Sequence, residues 1–83
     1  MVNNITDAKI IWRGMVATYL RMEDRFDQLA NTPPTKVGTG EVLEARGLLM
    51  QAQTIVEKAG AAFEKQFPDY EFDLIRNYVR RKP

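Results

Sequence analysis

Four carboxylates near the middle of the chain have a spacing that suits metal binding. Asp24 and Asp27 stand three positions apart, and so do Glu41 and Glu44. Residues three apart are neighbours on one face of a helix, so two such pairs on adjacent helices would bring four carboxylates together. Carboxylate oxygens are ligands that suit Mg²⁺. The spacing therefore makes a magnesium site one alternative for the chemistry of this protein.

A second group with chemical potential is the basic end of the chain. Its side chains are suited to phosphate contacts. The candidate phosphate-binding residues are Arg76, Arg80, Arg81 and Lys82. Eight basic and 11 acidic side chains precede them, so the body of the chain is mildly acidic, which is not typical of a DNA-binding domain. Nucleic acid is therefore an alternative partner and not the favoured one.

Several residue types that enzymes commonly use are missing. The chain contains no Cys and no His, which excludes disulfides, thiolate metal sites, Cys nucleophiles and imidazole bases. No apolar run approaches the ~18 residues of a membrane span, and the N-terminus lacks the pattern of a secretion signal. We therefore expect a non-enzymatic protein without a cofactor or a bound metal, located in the cytoplasm and not in a membrane.

Two segments have the periodicity of long amphipathic helices. Apolar residues recur at alternating intervals of three and four over about 4–31 and again over about 40–67. The two stripes are Ile5, Ala8, Trp12, Met15, Tyr19, Met22, Phe26 and Leu29, and then Val42, Ala45, Leu49, Ala52, Val56, Ala59 and Phe63. The Pro- and Gly-rich stretch 31–40 between them cannot continue a helix. The pattern predicts a long antiparallel helical hairpin.

Residue size sets the register of this hairpin. When the numbers of facing residues sum to 71, each aromatic residue of the first stripe faces an alanine of the second. Trp12 then faces Ala59, and Tyr19 faces Ala52. Such large-to-small matching is how facing layers reach native packing density. The register also explains Gly60, because a glycine there leaves room for the ring of Trp12.

The charge order at the end of the chain predicts a third, shorter helix over about 69–82. Its acidic residues come first and its basic residues last, which is the charge order that the helix dipole favours. A helix of this length covers about half of the hairpin, and apolar residues beside the seams, such as Ile11, Val16 and Ile55, need a cover. We therefore expect one all-α domain over 1–83, completed by self-association into a helical bundle.

The predicted register bears on the carboxylates. With Phe26 on the seam, Asp24 and Asp27 point to solvent, and Glu44 does the same on the second helix. A catalytic metal site would place its carboxylates inward, so solvated charges at the helix ends are the favoured interpretation. The alternative is a Mg²⁺-dependent nucleotide pyrophosphatase of the all-α class, which holds its metal between helices.

A patch on the second helix is the predicted partner-binding surface. Gly47 faces outward, and a helical glycine costs about 1 kcal/mol relative to alanine, which is explained if another chain approaches closely there. The patch consists of Leu43, Arg46, Gly47 and Met50, and we call it the Gly47 patch. One Arg among apolar side chains is typical of the energetic centre of an interface.

The second helical segment also carries a family resemblance. Arg46 and Gly47 form a basic–small step, an apolar stretch follows, and the segment ends on Ile55, Val56 and Glu57. Over about 17 of 83 residues, 41–57, it resembles the second helix of small helical-hairpin accessory proteins of tailed bacteriophages. The resemblance implies a phage or prophage origin and a structural or host-directed binding role.

These observations together predict a protein–protein interaction protein. We expect it to act as a small virion or assembly component, or as an inhibitor that docks on a host protein. The predicted partners are a second copy of the chain and a larger viral or host protein. The expected location is the cytoplasm of a bacterial host or the virion.

Overall fold

Two long helices occupy most of the protein. The computed structural model describes residues 3–33 and 38–83. Helix α1 spans Ile5–Ala30 and helix α2 spans Thr39–Gln66. Asn4 caps α1, because its side-chain oxygen accepts a hydrogen bond from the Asp7 N–H at 2.9 Å. The predicted helical hairpin is confirmed, with helix ends within one residue of the expected ones.

The seam between the helices follows the predicted stripes. Every residue of both stripes is buried or half-buried. Met15, Tyr19, Ala52 and Val56 border one hollow between the helices, as the predicted register requires. Gly60 lies against Trp12, since a Cβ on Gly60 would stand 3.2 Å from the Trp12 Nε1 atom. Both observations agree with the register in which facing residue numbers sum to 71.

The predicted third helix is wrong, and its place is taken by a β-hairpin. Strand β1 spans Tyr70–Asp73, strand β2 spans Tyr78–Arg81, and the two pair antiparallel with Phe72 opposite Val79. Asn77 has a φ of 56°, a left-handed conformation that Asn tolerates and that a continuous helix excludes. The fold is therefore a mostly helical hairpin, as predicted, with a small two-stranded sheet in place of the third helix.

The charges that suggested a helix dipole instead form contacts across the sheet. Arg80 Nε donates a hydrogen bond to Glu71 Oε1 at 2.9 Å, and Tyr78 OH donates to the same oxygen at 2.6 Å. Asp73 Oδ1 accepts from the Arg76 N–H at 2.9 Å and supports the turn between the strands. Successive side chains along a strand point to opposite faces, so Glu71, Asp73, Tyr78 and Arg80 lie on one face of the β-hairpin and Phe72 lies on the other.

Trp12 lies at the centre of the core and is 1% exposed. Its ring meets the ring of Phe72 edge-on, with centroids 5.6 Å apart. The other members of the buried cluster are Ala8, Val16, Val56 and Val79. Glu64 ties β1 to α2, because its Oε1 accepts from the Phe72 N–H at 3.0 Å. Within the described residues, neither helix is long and apolar enough to cross a membrane.

Candidate protein-interaction surface

The β-hairpin covers only one side of the helix pair. Its turn residue Asn77 borders the same hollow as Val16, Ala17 and Leu20 of α1. On α2, Gly60 and Glu64 contact β1 from that same side. Val16, which the sequence pattern left in need of a cover, is accordingly 2% exposed. The β-hairpin thus covers the helix pair, as a third helix was expected to do, but it covers only one flank of the seam.

The opposite flank of the seam is an open apolar groove. It has a hollow of about 220 Å³, which Tyr19 and Val56 border from the seam. Its other lining residues are Met15, Thr18, Met22, Ala52 and Ile55, and we call this surface the open groove. At 3.6 residues per turn, Thr18 and Met22 lie on the flank of α1 that faces away from Val16 and Leu20. Ile55 is 57% exposed at its edge.

The same flank carries further exposed apolar residues. Ile11 precedes Thr18 by seven positions on α1, and Leu48 precedes Ile55 by seven on α2, so each continues the line of the groove. Ile11 is 45% exposed and Leu48 is 48% exposed. The sequence pattern singled out Ile11 and Ile55 as needing a cover. The structure places no part of the described chain over them.

The Gly47 patch lies on a different face of α2. Leu43 and Met50 are 61% and 58% exposed, and Arg46 and Gly47 are exposed as well. Apart from the adjoining residues and backbone of α2 itself, no atom lies within 4 Å of the position that a Cβ on Gly47 would take, so the space beside it is free. A shallow apolar hollow joins Met50 to Ile55 across the back of the helix. The four predicted patch residues are thus exposed on one face of α2, and this face adjoins the edge of the open groove between Met50 and Ile55.

The basic end of the chain is partly engaged in contacts of its own. Arg76 Nη1 lies 3.7 Å from Asp73 Oδ2. Arg80 Nε lies 2.9 Å from Glu71 Oε1, and Arg80 Cζ lies 4.9 Å from the centroid of the Tyr78 ring. The remaining pair, Arg81 and Lys82, is exposed. The four candidate phosphate-binding residues therefore do not form one free cationic cluster, because two of them are paired with carboxylates.

The four acidic residues do not come together as a metal site would require. Asp24, Asp27, Glu41 and Glu44 are all exposed. Within the described ranges, no three acidic side chains lie close enough to hold one metal ion. The prediction that Asp24, Asp27 and Glu44 point to solvent is therefore confirmed.

The pKa values of Tyr19 and Glu71 are shifted by their surroundings. Tyr19 OH donates a hydrogen bond to Glu23 Oε2 at 3.3 Å, and burial, followed by the charge of Glu23, raises the pKa of Tyr19. On the hairpin, the hydrogen bond from Tyr78 and then the contact with Arg80 lower the pKa of Glu71. The lowered pKa of Glu71 means that its carboxylate helps to hold the two strands together.

The sequence reasoning missed Thr18 and the polar face of the β-hairpin. Thr18 interrupts an otherwise apolar flank and was not recognised as a groove residue. The β-hairpin had a visible signal in the sequence, since Tyr70 and Phe72 alternate with three acidic residues over 69–73, which is the period of a strand.

No protein-family model, curated protein or solved structure matches this chain.

Proposed function

We propose that this protein acts by binding other proteins, not by catalysis, and that it works as a homo-oligomer. The single observation that carries the proposal is the amount of large apolar side chain left exposed on the helix pair. Scattered exposed apolar residues are ordinary, but contiguous ones mark interaction surfaces. On α2 alone, four large apolar residues are about half exposed or more: Leu43, Leu48, Met50 and Ile55.

The Gly47 patch is the proposed contact with a larger protein. Arg46 supplies a planar group with several hydrogen-bond donors, and Leu43 and Met50 supply apolar area around it. Gly47 adds no side chain, so the backbone of α2 is open to close approach at this point. In the setting that the phage resemblance implies, the partner would be a virion or assembly protein, or a host protein that the chain inhibits.

The first experiment measures the mass of the wild-type protein by light scattering at micromolar concentrations. We expect a mass above that of the 9.5 kDa chain. The physical reason is that a chain of this size closes its core with difficulty, and the exposed apolar area gains from association. A monomer across the whole concentration range would contradict the proposed self-association.

The second experiment tests the Gly47 patch with matched variants. Gly47→Glu adds bulk and charge, whereas Gly47→Ala adds a single methyl group in free space and serves as the control. We expect circular dichroism to show the same helix content in both. In a pull-down from host lysate compared by mass spectrometry, a specific partner should be kept by wild type and Gly47→Ala and lost by Gly47→Glu. Equal retention by all three would remove the patch from the proposal.

A further inference from the structure

We infer that a second copy of this chain covers the open groove, docked groove to groove about a two-fold axis so that four long helices form one bundle. The inference rests on the proposed self-association and adds to it the surface, the occupant and the symmetry. It assigns the Gly47 patch to a different contact. Three properties of the protein support it: its thickness, its surface area and the order of charges along the rim of the groove.

The helix pair is too thin to bury both of its flanks. The molecule measures 50 × 22 × 15 Å along its principal axes, and one helix with its side chains is about 10–12 Å across. Its radius of gyration is 15.7 Å, whereas a compact domain of this length has one of about 12 Å. The chain thus forms essentially one layer of helices, and the open groove lies on the bare side of that layer.

The surface area is larger than a folded monomer of this mass usually has. The protein exposes 6107 Å², whereas the scaling law for monomers gives about 5,000 Å² at 9.5 kDa. The excess is on the order of 1,000 Å². Each partner in a standard protein–protein interface buries about 800 Å². Covering one flank of the helix pair with an equal flank of a second copy would therefore bring the exposed area into the usual range.

The charges along the groove favour a second copy over an unrelated chain. On the groove side, Asp7 lies near the start of α1 and Arg25 near its end, and Glu44 lies near the start of α2. A two-fold axis that places groove on groove makes facing helices antiparallel, whether α1 faces α1 or α2 of the partner. Arg25 then meets Asp7 of the partner subunit when α1 faces α1, or Glu44 of the partner subunit when α1 faces α2.

These rim charges are also available for pairing. Within the described part of the chain, Arg25 and Glu44 have no ion-pair partner. The lining of the groove carries two hydroxyls, those of Thr18 and Tyr19, and the Tyr19 hydroxyl is hydrogen-bonded to Glu23; the other lining residues are apolar. An apolar centre with a polar rim is the composition of a protein interface. The arrangement is self-complementary, as an isologous contact must be.

The test compares two substitutions at equally exposed positions of the same helix. Ile55→Glu puts a charge at the edge of the open groove, and Leu43→Glu puts the same charge on the Gly47 patch; the two residues are 57% and 61% exposed. Sedimentation equilibrium measures the dimer dissociation constant of each. We expect Ile55→Glu to raise it by roughly 100-fold or more, because two unpaired carboxylates would be buried in the symmetric contact, while Leu43→Glu leaves it unchanged.

A second variant guards against a folding defect. Thr18→Arg changes α1, at an exposed position in the groove, and should dissociate the dimer in the same way while circular dichroism stays that of the wild type. A monomeric wild type would overturn the proposed self-association and this inference together. An oligomer that survives both Ile55→Glu and Thr18→Arg, or one that Leu43→Glu dissociates instead, would overturn this inference alone.

Discussion

Replacing Gly60 by alanine tests how closely Trp12 packs against α2. Gly60 lies inside the helix with a negative φ, so alanine would be expected to stabilise it by about 1 kcal/mol on backbone grounds. The new Cβ, however, would stand 3.2 Å from Trp12 Nε1 and 3.5 Å from the Phe72 Cβ, where ordinary contacts begin near 3.4 Å. Something must therefore move by a few tenths of an ångström.

The magnitude follows from what surrounds the indole ring. Trp12 is 1% exposed and is held edge-on by Phe72, so it has little room to retreat. Overpacking of a core costs about 1–3 kcal/mol. With about 2 kcal/mol lost to the clash and about 1 kcal/mol regained by the helix, we expect Gly60→Ala to destabilise the protein by roughly 1 kcal/mol.

Gly14 provides the matched control. It is also an interior helical glycine, but nothing lies within 4 Å of the position of its Cβ. Gly14→Ala should therefore keep the full helical gain of about 1 kcal/mol. The two alanine variants should differ by roughly 2 kcal/mol in their free energy of unfolding and should shift the melting temperature in opposite directions.

Thermal unfolding followed by circular dichroism resolves this difference. For a domain of this size, 1 kcal/mol corresponds to about 4–8 °C in Tm. The variants and the wild type are measured at the same protein concentration, because self-association stabilises the folded protein by an amount that depends on concentration. If Gly60→Ala gains as much as Gly14→Ala, then Trp12 does not pack against Gly60, and both the hairpin register and the position of β1 on α2 would have to be revised.

Two further predictions concern acidic residues. The pKa of Glu71 is lowered in the folded state, so its contribution to stability is present above the unfolded-state pKa near 4.5 and is lost as the pH falls through the folded-state value. The protection factors of the β-hairpin amides, which correct for the intrinsic pH dependence of exchange, should therefore fall in acid in the wild type and change less with pH in Glu71→Gln; identical pH profiles would contradict this. Millimolar Mg²⁺ should leave the Tm unchanged. A site with a Kd of ~0.1 mM would add about 1.4 kcal/mol at 1 mM, and such a shift, abolished by Asp27→Asn, would favour the pyrophosphatase alternative.

The helical hairpin and its seam could be predicted from the sequence because they depend on a local repeat. A 3–4 spacing of apolar residues places a stripe along one side of any helix, and two such stripes bury each other. Size matching then identified Trp12 and Gly60 as neighbours. The exposed position of the Gly47 patch follows from the same helical spacing, as does the solvent-facing position of the carboxylates near the loop.

Tertiary structure decided the form of the last segment and the flank that it covers. The charge order over 69–82 suits a helix dipole and a cross-strand ion pair equally, and the strand-like alternation extends over only the five residues 69–73. Two strands of four residues are marginal by themselves. Their hairpin gains stability from packing Phe72 against Trp12 and from the Glu64 hydrogen bond, contacts that exist only once α1 and α2 have assembled. That docking leaves the opposite flank, the open groove, exposed.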